Sequence, residues 1–143
     1  MHSCKTHRAV SWALQIIAAA ILAQTLFFKF TGAPESKYIF GVLGVEPWGR
    51  VASGCAELVA VVLLLVPAWA PFGAMLSTGI MAGAIGAHLT RLGIEVQGDR
   101  GLLFALAVVV FGCSVSLLVL SRHHLPLVGH WFRPPGACEK SPS

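Results

Sequence analysis

Four long apolar runs, Val10–Phe28, Val51–Trp69, Phe72–Leu89 and Leu102–Leu120, constrain this chain more than any other feature. Each has roughly the 18–20 residues that an α-helix rising ~1.5 Å per residue needs to cross a ~30 Å hydrocarbon layer. Only 11% of the 143 residues are charged, and those charges fall almost wholly between the runs. A soluble domain needs roughly a quarter of its residues charged to cover its surface, which excludes a soluble fold. The expected fold is an all-α integral membrane protein, a four-transmembrane-helix antiparallel bundle over residues 10–120. An N-terminal tail (1–9) precedes it, and a polar, weakly ordered tail (121–143) follows.

The first run begins on Lys5 and Arg8, as a secretory leader would. Its apolar stretch is longer than the usual core of about 7–15 residues, and its small residues Ala18–Ala20 lie mid-run. It is therefore read as a retained helix. PAWAP joins the second and third runs, where Pro67 and Pro71 force a tight reversal. TRLGIEVQGDRG joins the third and fourth, with Asp99 placed to cap the last helix. The first connection, KFTGAPESKYIFGVLGVEPWGR, is far longer than a turn requires. Its centre carries a Ser36 cap signal and then apolar residues with Tyr38, which reads as a short interfacial segment covering one end of the bundle.

Lys and Arg divide equally, five on each side of the spans. The basic first flank tips the balance towards both termini being cytoplasmic, in a bacterial-type plasma membrane. The formal charge of +4 reads as orientation and contact with anionic lipid, not as nucleic-acid binding. No C-x-x-C occurs, and the tail histidines His123, His124 and His130 lack acidic or thiol partners at site spacing. No metal site is assigned.

Glu57 is the only ionisable side chain in the second run apart from a thiol. Ser53, Gly54, Ala60 and Val61 lie three and four residues away, the smallest face of that helix, so Glu57 is expected to face protein. Antiparallel threading brings Gln24 and Lys29 of the first span and His88 of the third to the same half of the membrane. Two readings fit. Either Glu57 and His88 line a polar pocket with Lys29 and Gln24, trading a proton with a substrate, or Glu57 and Lys29 are a satisfied ion pair. At 100° per residue, His88 is expected to point away from the Gly79/Gly83 stripe. Gly79, Gly83 and Ala87 form that stripe, a spacing of four that lets helices approach closely. It can meet a helix of the same chain or a second copy; contact within the chain is the reading taken.

LFFKFTGAPESKYIF, GCAELVAVVLLLVP and MAGAIGAHLT, in that order, resemble the DoxX and DoxX-like family of small four-helix membrane proteins. The resemblance implies recurring positions at Gly32, Lys37, Glu57 and His88, although the spacing between Gly32 and Lys37 is one residue longer than the family's. It implies a membrane subunit of a quinone-linked oxidoreductase or redox-stress complex, with a quinone as ligand, no covalently bound cofactor and a membrane or peripheral redox partner protein. No haem, iron–sulfur or dinucleotide motif appears in the chain, so electrons would come from that partner. A non-catalytic scaffold or assembly chaperone is the alternative. A small-molecule or proton transporter comes third.

Overall fold

The computed structural model describes residues 2–121, so the C-terminal tail with its three histidines lies outside the described residues. Five helices follow in order: α1 (His2–Thr31), α2 (Pro34–Val42), α3 (Trp48–Leu65), α4 (Ala70–Ala87) and α5 (Leu102–Ser121). A single π-turn, His88–Leu92, prolongs α4. Four of the helices are long and apolar enough to cross a membrane. The architecture is the expected all-α four-helix bundle. Helix α1 packs on α3 and α5, and α4 packs on the same two, which sets α1 and α4 on the diagonal.

Burial is inverted relative to a soluble bundle. Phe27, Val62, Val108 and Val119 are each more than 40% exposed, whereas Ala18, Leu22, Ala60, Leu64, Ala74 and Val110 are buried. Large apolar side chains left on the outside suit a hydrocarbon surround, and because lipid supplies no hydrophobic drive between helices, dispersion contacts must hold the core together. The core also contains the Ser114 hydroxyl donating to Ser77 Oγ across α5 and α4 at 2.9 Å. Such interhelical bonds contribute about 0.6 kcal/mol each.

The helix ends differ from the expected ones for identifiable reasons. Residues 2–9 continue α1 instead of forming a separate tail, since they contain no Gly or Pro to stop a helix. Helix α3 ends at Leu65, four residues early, because Val66 precedes Pro67 and is held extended (φ −98°, ψ 109°). Pro71 then sits in the first turn of α4, where its missing N–H costs nothing. A Cβ on Gly73 would stand 2.7 Å from the Leu64 nitrogen, so the reversal brings α4 onto the α3 backbone there.

The expected segment between the first two spans is the nine-residue α2. Ser36 does not cap it; Ala33 occupies the cap and Pro34 the first helical position. Helix α1 ends in a Schellman closure, with Ala33 N–H donating to Phe28 O at 3.0 Å and Gly32 N–H to Lys29 O at 3.3 Å. Gly32 takes the left-handed conformation this closure requires (φ +67°). Gly44 closes α2 in the same way, with Val45 N–H donating to Phe40 O.

Asp99 organises the last loop as expected. Its Oδ1 accepts from Val96 N–H (2.8 Å) and Gly101 N–H (2.9 Å), and its Oδ2 from Leu103 N–H (3.0 Å). Burial pushes the carboxyl upwards, but these three donors, with His88 nearby, outweigh it and hold the group below its ordinary value. A depressed pKa in the folded state contributes stability that is present above the ordinary carboxylate range and lost as pH falls through the lowered value. Asp99→Ala is therefore expected to cost about 1–2 kcal/mol at neutral pH, as loss of a cap does. Melting of the purified protein at neutral and acid pH checks this, and the deficit should shrink in acid.

Candidate ligand cavity

Beginning α3 at Trp48 carries Glu57 ~13 Å along the helix from its start, deeper than a start at Val51 implies. Its neighbour Gly54 accepts the Phe30 ring of α1 at close range, which draws the end of α1 against α3. Lys29, one turn from the end of α1, thereby reaches Glu57. Lys29 Nζ forms an ion pair with Glu57 Oε1; the lysine side chain is 17% exposed and the glutamate 1%. The Thr25 hydroxyl lies 3.0 Å from Glu57 Oε2 and 2.8 Å from the Leu22 carbonyl, sharing its one proton between them. Lys29 Nζ also stands 5.6 Å from the centroid of the Phe40 ring on α2, a cation–π contact that covers the pair. Glu57 is thus turned away from the lipid side and carries a partner on each oxygen.

The bundle does not close above this cluster. A cavity of about 600 Å³ extends from α2 down between α1, α4 and α5. Thr25, Lys29, Ser36, Glu57, His88 and Asp99 supply polar groups to its wall, and Ile80, Ala107 and Val110 are part of its apolar body. Small-molecule sites have this size and this character, mostly apolar with a few convergent polar groups.

The glycines of α4 make the space. Gly79, Gly83 and Ala87 all line the cavity, and a Cβ on either glycine would meet nothing within 4 Å. The close helix contact expected of that stripe is not made among the described residues, whereas α4 does meet the α3 backbone closely at Gly73. The volume lies beneath the stripe because α4 faces α1 across the diagonal instead of packing on it.

His88 is buried, 5% exposed, and lines the same cavity as the stripe. His88 stands half a turn from Gly79, yet both reach the cavity, because α4 and its π-turn offer residues 79, 80, 81, 83, 84, 87 and 88 to it. At 100° per residue that face spans about half the helix. Gly93 N–H donates to His88 O at 2.8 Å, closing the π-turn, and His88 Nδ1 lies 2.9 Å from Gly93 O. A carbonyl only accepts, so Nδ1 carries the proton, and in the neutral ring Nε2 is left as an acceptor. Phe104 packs edge-on against the ring at 5.7 Å.

Of the other expected positions, Gln24 lines the cavity but is exposed and does not join the Glu57 cluster. Gly32 and Lys37 lie together outside it, the Lys37 stem packing over the glycine. Sequence reasoning missed Thr25, which stands four residues before Lys29 and hence on its face. It also missed Arg50, which binds Glu46 through Nε (2.8 and 3.1 Å) and donates to the Lys29 carbonyl, tying the start of α3 to the end of α1. The Glu46/Arg50 spacing of four was the available signal.

A profile of the DoxX-like family matches residues 13–116, which takes in α2, α3, α4, most of α1 and α5, and every residue of the cavity wall. No curated protein and no solved structure matches the chain.

Proposed function

The chain belongs to the DoxX-like family of membrane proteins, and from that premise we propose that it is the quinone-binding membrane subunit of an oxidoreductase or redox-stress complex. The observation that carries this reading is the cavity, polar at one end and apolar along its body, with a carboxylate at its wall. A quinone headgroup fits the polar end and an isoprenoid or alkyl tail fits the apolar body. Glu57 is then the headgroup ligand and proton acceptor, Lys29 its counter-charge and His88 the relay at the loop end. A membrane or peripheral partner protein supplies the electrons, and the headgroup takes up an equal number of protons through these side chains. With both termini cytoplasmic in a bacterial-type plasma membrane, the polar mouth opens on the outer face, and the partner engages there.

A scaffold or chaperone would use the Gly79/Gly83 stripe as a docking seam. That stripe lines the cavity, so it serves the ligand reading better.

Glu57→Gln keeps the shape and removes the charge. It is expected to weaken binding of decylubiquinone to the purified protein in lipid nanodiscs by at least tenfold, with membrane abundance unchanged. Unaltered binding, or a collapse in abundance, would make the carboxylate a structural element.

A further inference from the structure

Four hydroxyls of this chain share a habit that Ser36 does not. Thr31, Thr78, Thr90 and Ser116 each donate to the carbonyl four residues back, at 2.7 Å. Ser36 is 6% exposed, yet its Oγ has no hydrogen-bond partner among the described residues. The reason lies in the start of α2. Four residues back from Ser36 is Gly32, which precedes the helix in the left-handed conformation, so its carbonyl stands outside the helical array. Ser36 lines the cavity, as do Ile39 and Phe40 on the same face of α2. Native proteins leave very few buried polar groups unpaired, and a hydroxyl at a cavity wall is completed by what occupies the cavity.

The charges on the wall restrict the occupant. Lys29 is committed to Glu57 and Asp99 to three backbone donors, while Glu35 adds a further negative charge at the mouth. Among the described residues of the wall, no Lys or Arg is left to neutralise an anion, and in the neutral His88 ring Nε2 adds an acceptor. An uncharged oxygen group suits such a wall, whereas a carboxylate or phosphate does not.

We propose that Ser36 is a ligand-contacting residue of the cavity: its Oγ is covered in this structure, and a turn about χ1 lets it hydrogen-bond an uncharged hydroxyl or carbonyl oxygen of an amphiphile whose apolar body runs along Ile80, Ala107 and Val110. Helix α2 is thereby part of the binding site as well as its cover. The inference rests on the reading of the cavity as an amphiphile site, but not on the amphiphile being a quinone. A neutral lipid such as a monoacylglycerol offers the same chemistry.

The test uses the full chain in lipid nanodiscs and three radiolabelled probes: decylubiquinone, monododecanoylglycerol and dodecanoate. At least one uncharged probe is expected to bind at least tenfold more tightly than dodecanoate. Ser36→Ala should weaken the uncharged probe about tenfold, and Ser36→Thr, which keeps the hydroxyl, should retain it. The melting temperature of the ligand-free Ser36→Ala protein should be unchanged or raised, since a hydroxyl without a partner is removed. Equal affinity in Ser36→Ala overturns the proposal, as does a lowered melting temperature with unchanged binding. Monododecanoylglycerol bound in a Ser36-dependent way, with decylubiquinone ignored, supports the Ser36 contact and removes the quinone reading. Decylubiquinone binding lost in Glu57→Gln but kept in Ser36→Ala does the reverse. If no probe binds, both fall.

Discussion

Replacing Lys29 with methionine is expected to cost about 3–5 kcal/mol of stability, because it strands a buried carboxylate. Glu57 is 1% exposed, and once the ammonium is gone its remaining partner is a hydroxyl that also serves the Leu22 carbonyl. Methionine keeps most of the length of the lysine stem, so the loss reflects charge and not packing. Most of it should return in the double variant Lys29→Met/Glu57→Gln, since removing both members of a buried pair leaves no uncompensated charge. Melting of the two single variants and the double in the same nanodiscs completes the cycle. A Lys29→Met protein as stable as the parent would mean that the pair contributes nothing to holding α1 against α3.

Gly83→Leu separates the cavity from the fold. A Cβ at this position meets nothing within 4 Å, so the larger side chain enters open volume and displaces no neighbour. Binding of whatever amphiphile the wild type takes up should fall by more than tenfold, while melting is unchanged or raised as new dispersion contacts form. Gly73→Leu supplies the contrast. There the added carbons would drive into the α3 backbone, and the reversal at Pro67–Pro71 should be badly destabilised. If Gly83→Leu instead unfolds the protein and spares binding, the stripe is a packing seam.

The spans were legible because hydrocarbon thickness fixes helix length, and composition leaves no alternative to helices of that length. The pairing of Lys29 with Glu57 was legible for a similar reason. A membrane helix tolerates an acid only beside a partner, and threading fixes which lysine lies at the right depth. The stripe of α4 was not legible. Small residues spaced by four read identically whether a helix presses on them or space lies beneath them. Which holds depends on whether α1 or α3 is the diagonal neighbour, a tertiary fact that no local pattern encodes. Ser36 was hidden by its type, since serine early in a helix is ordinarily a cap, and a shift of the cap to Ala33 leaves that hydroxyl without a backbone partner. The π-turn likewise left no trace in the spacing of HLTRL, although it sets the bond that fixes the His88 ring.

Below the glycines, the space is filled. Ala18, Leu64, Ala74 and Leu117 pack together, and the Ser77–Ser114 bond ties α4 to α5 across that end. The chamber therefore has a solid base. The cavity is a vestibule, lined no deeper than Ile21, Gly79 and Val110 and backed by packed side chains beneath them.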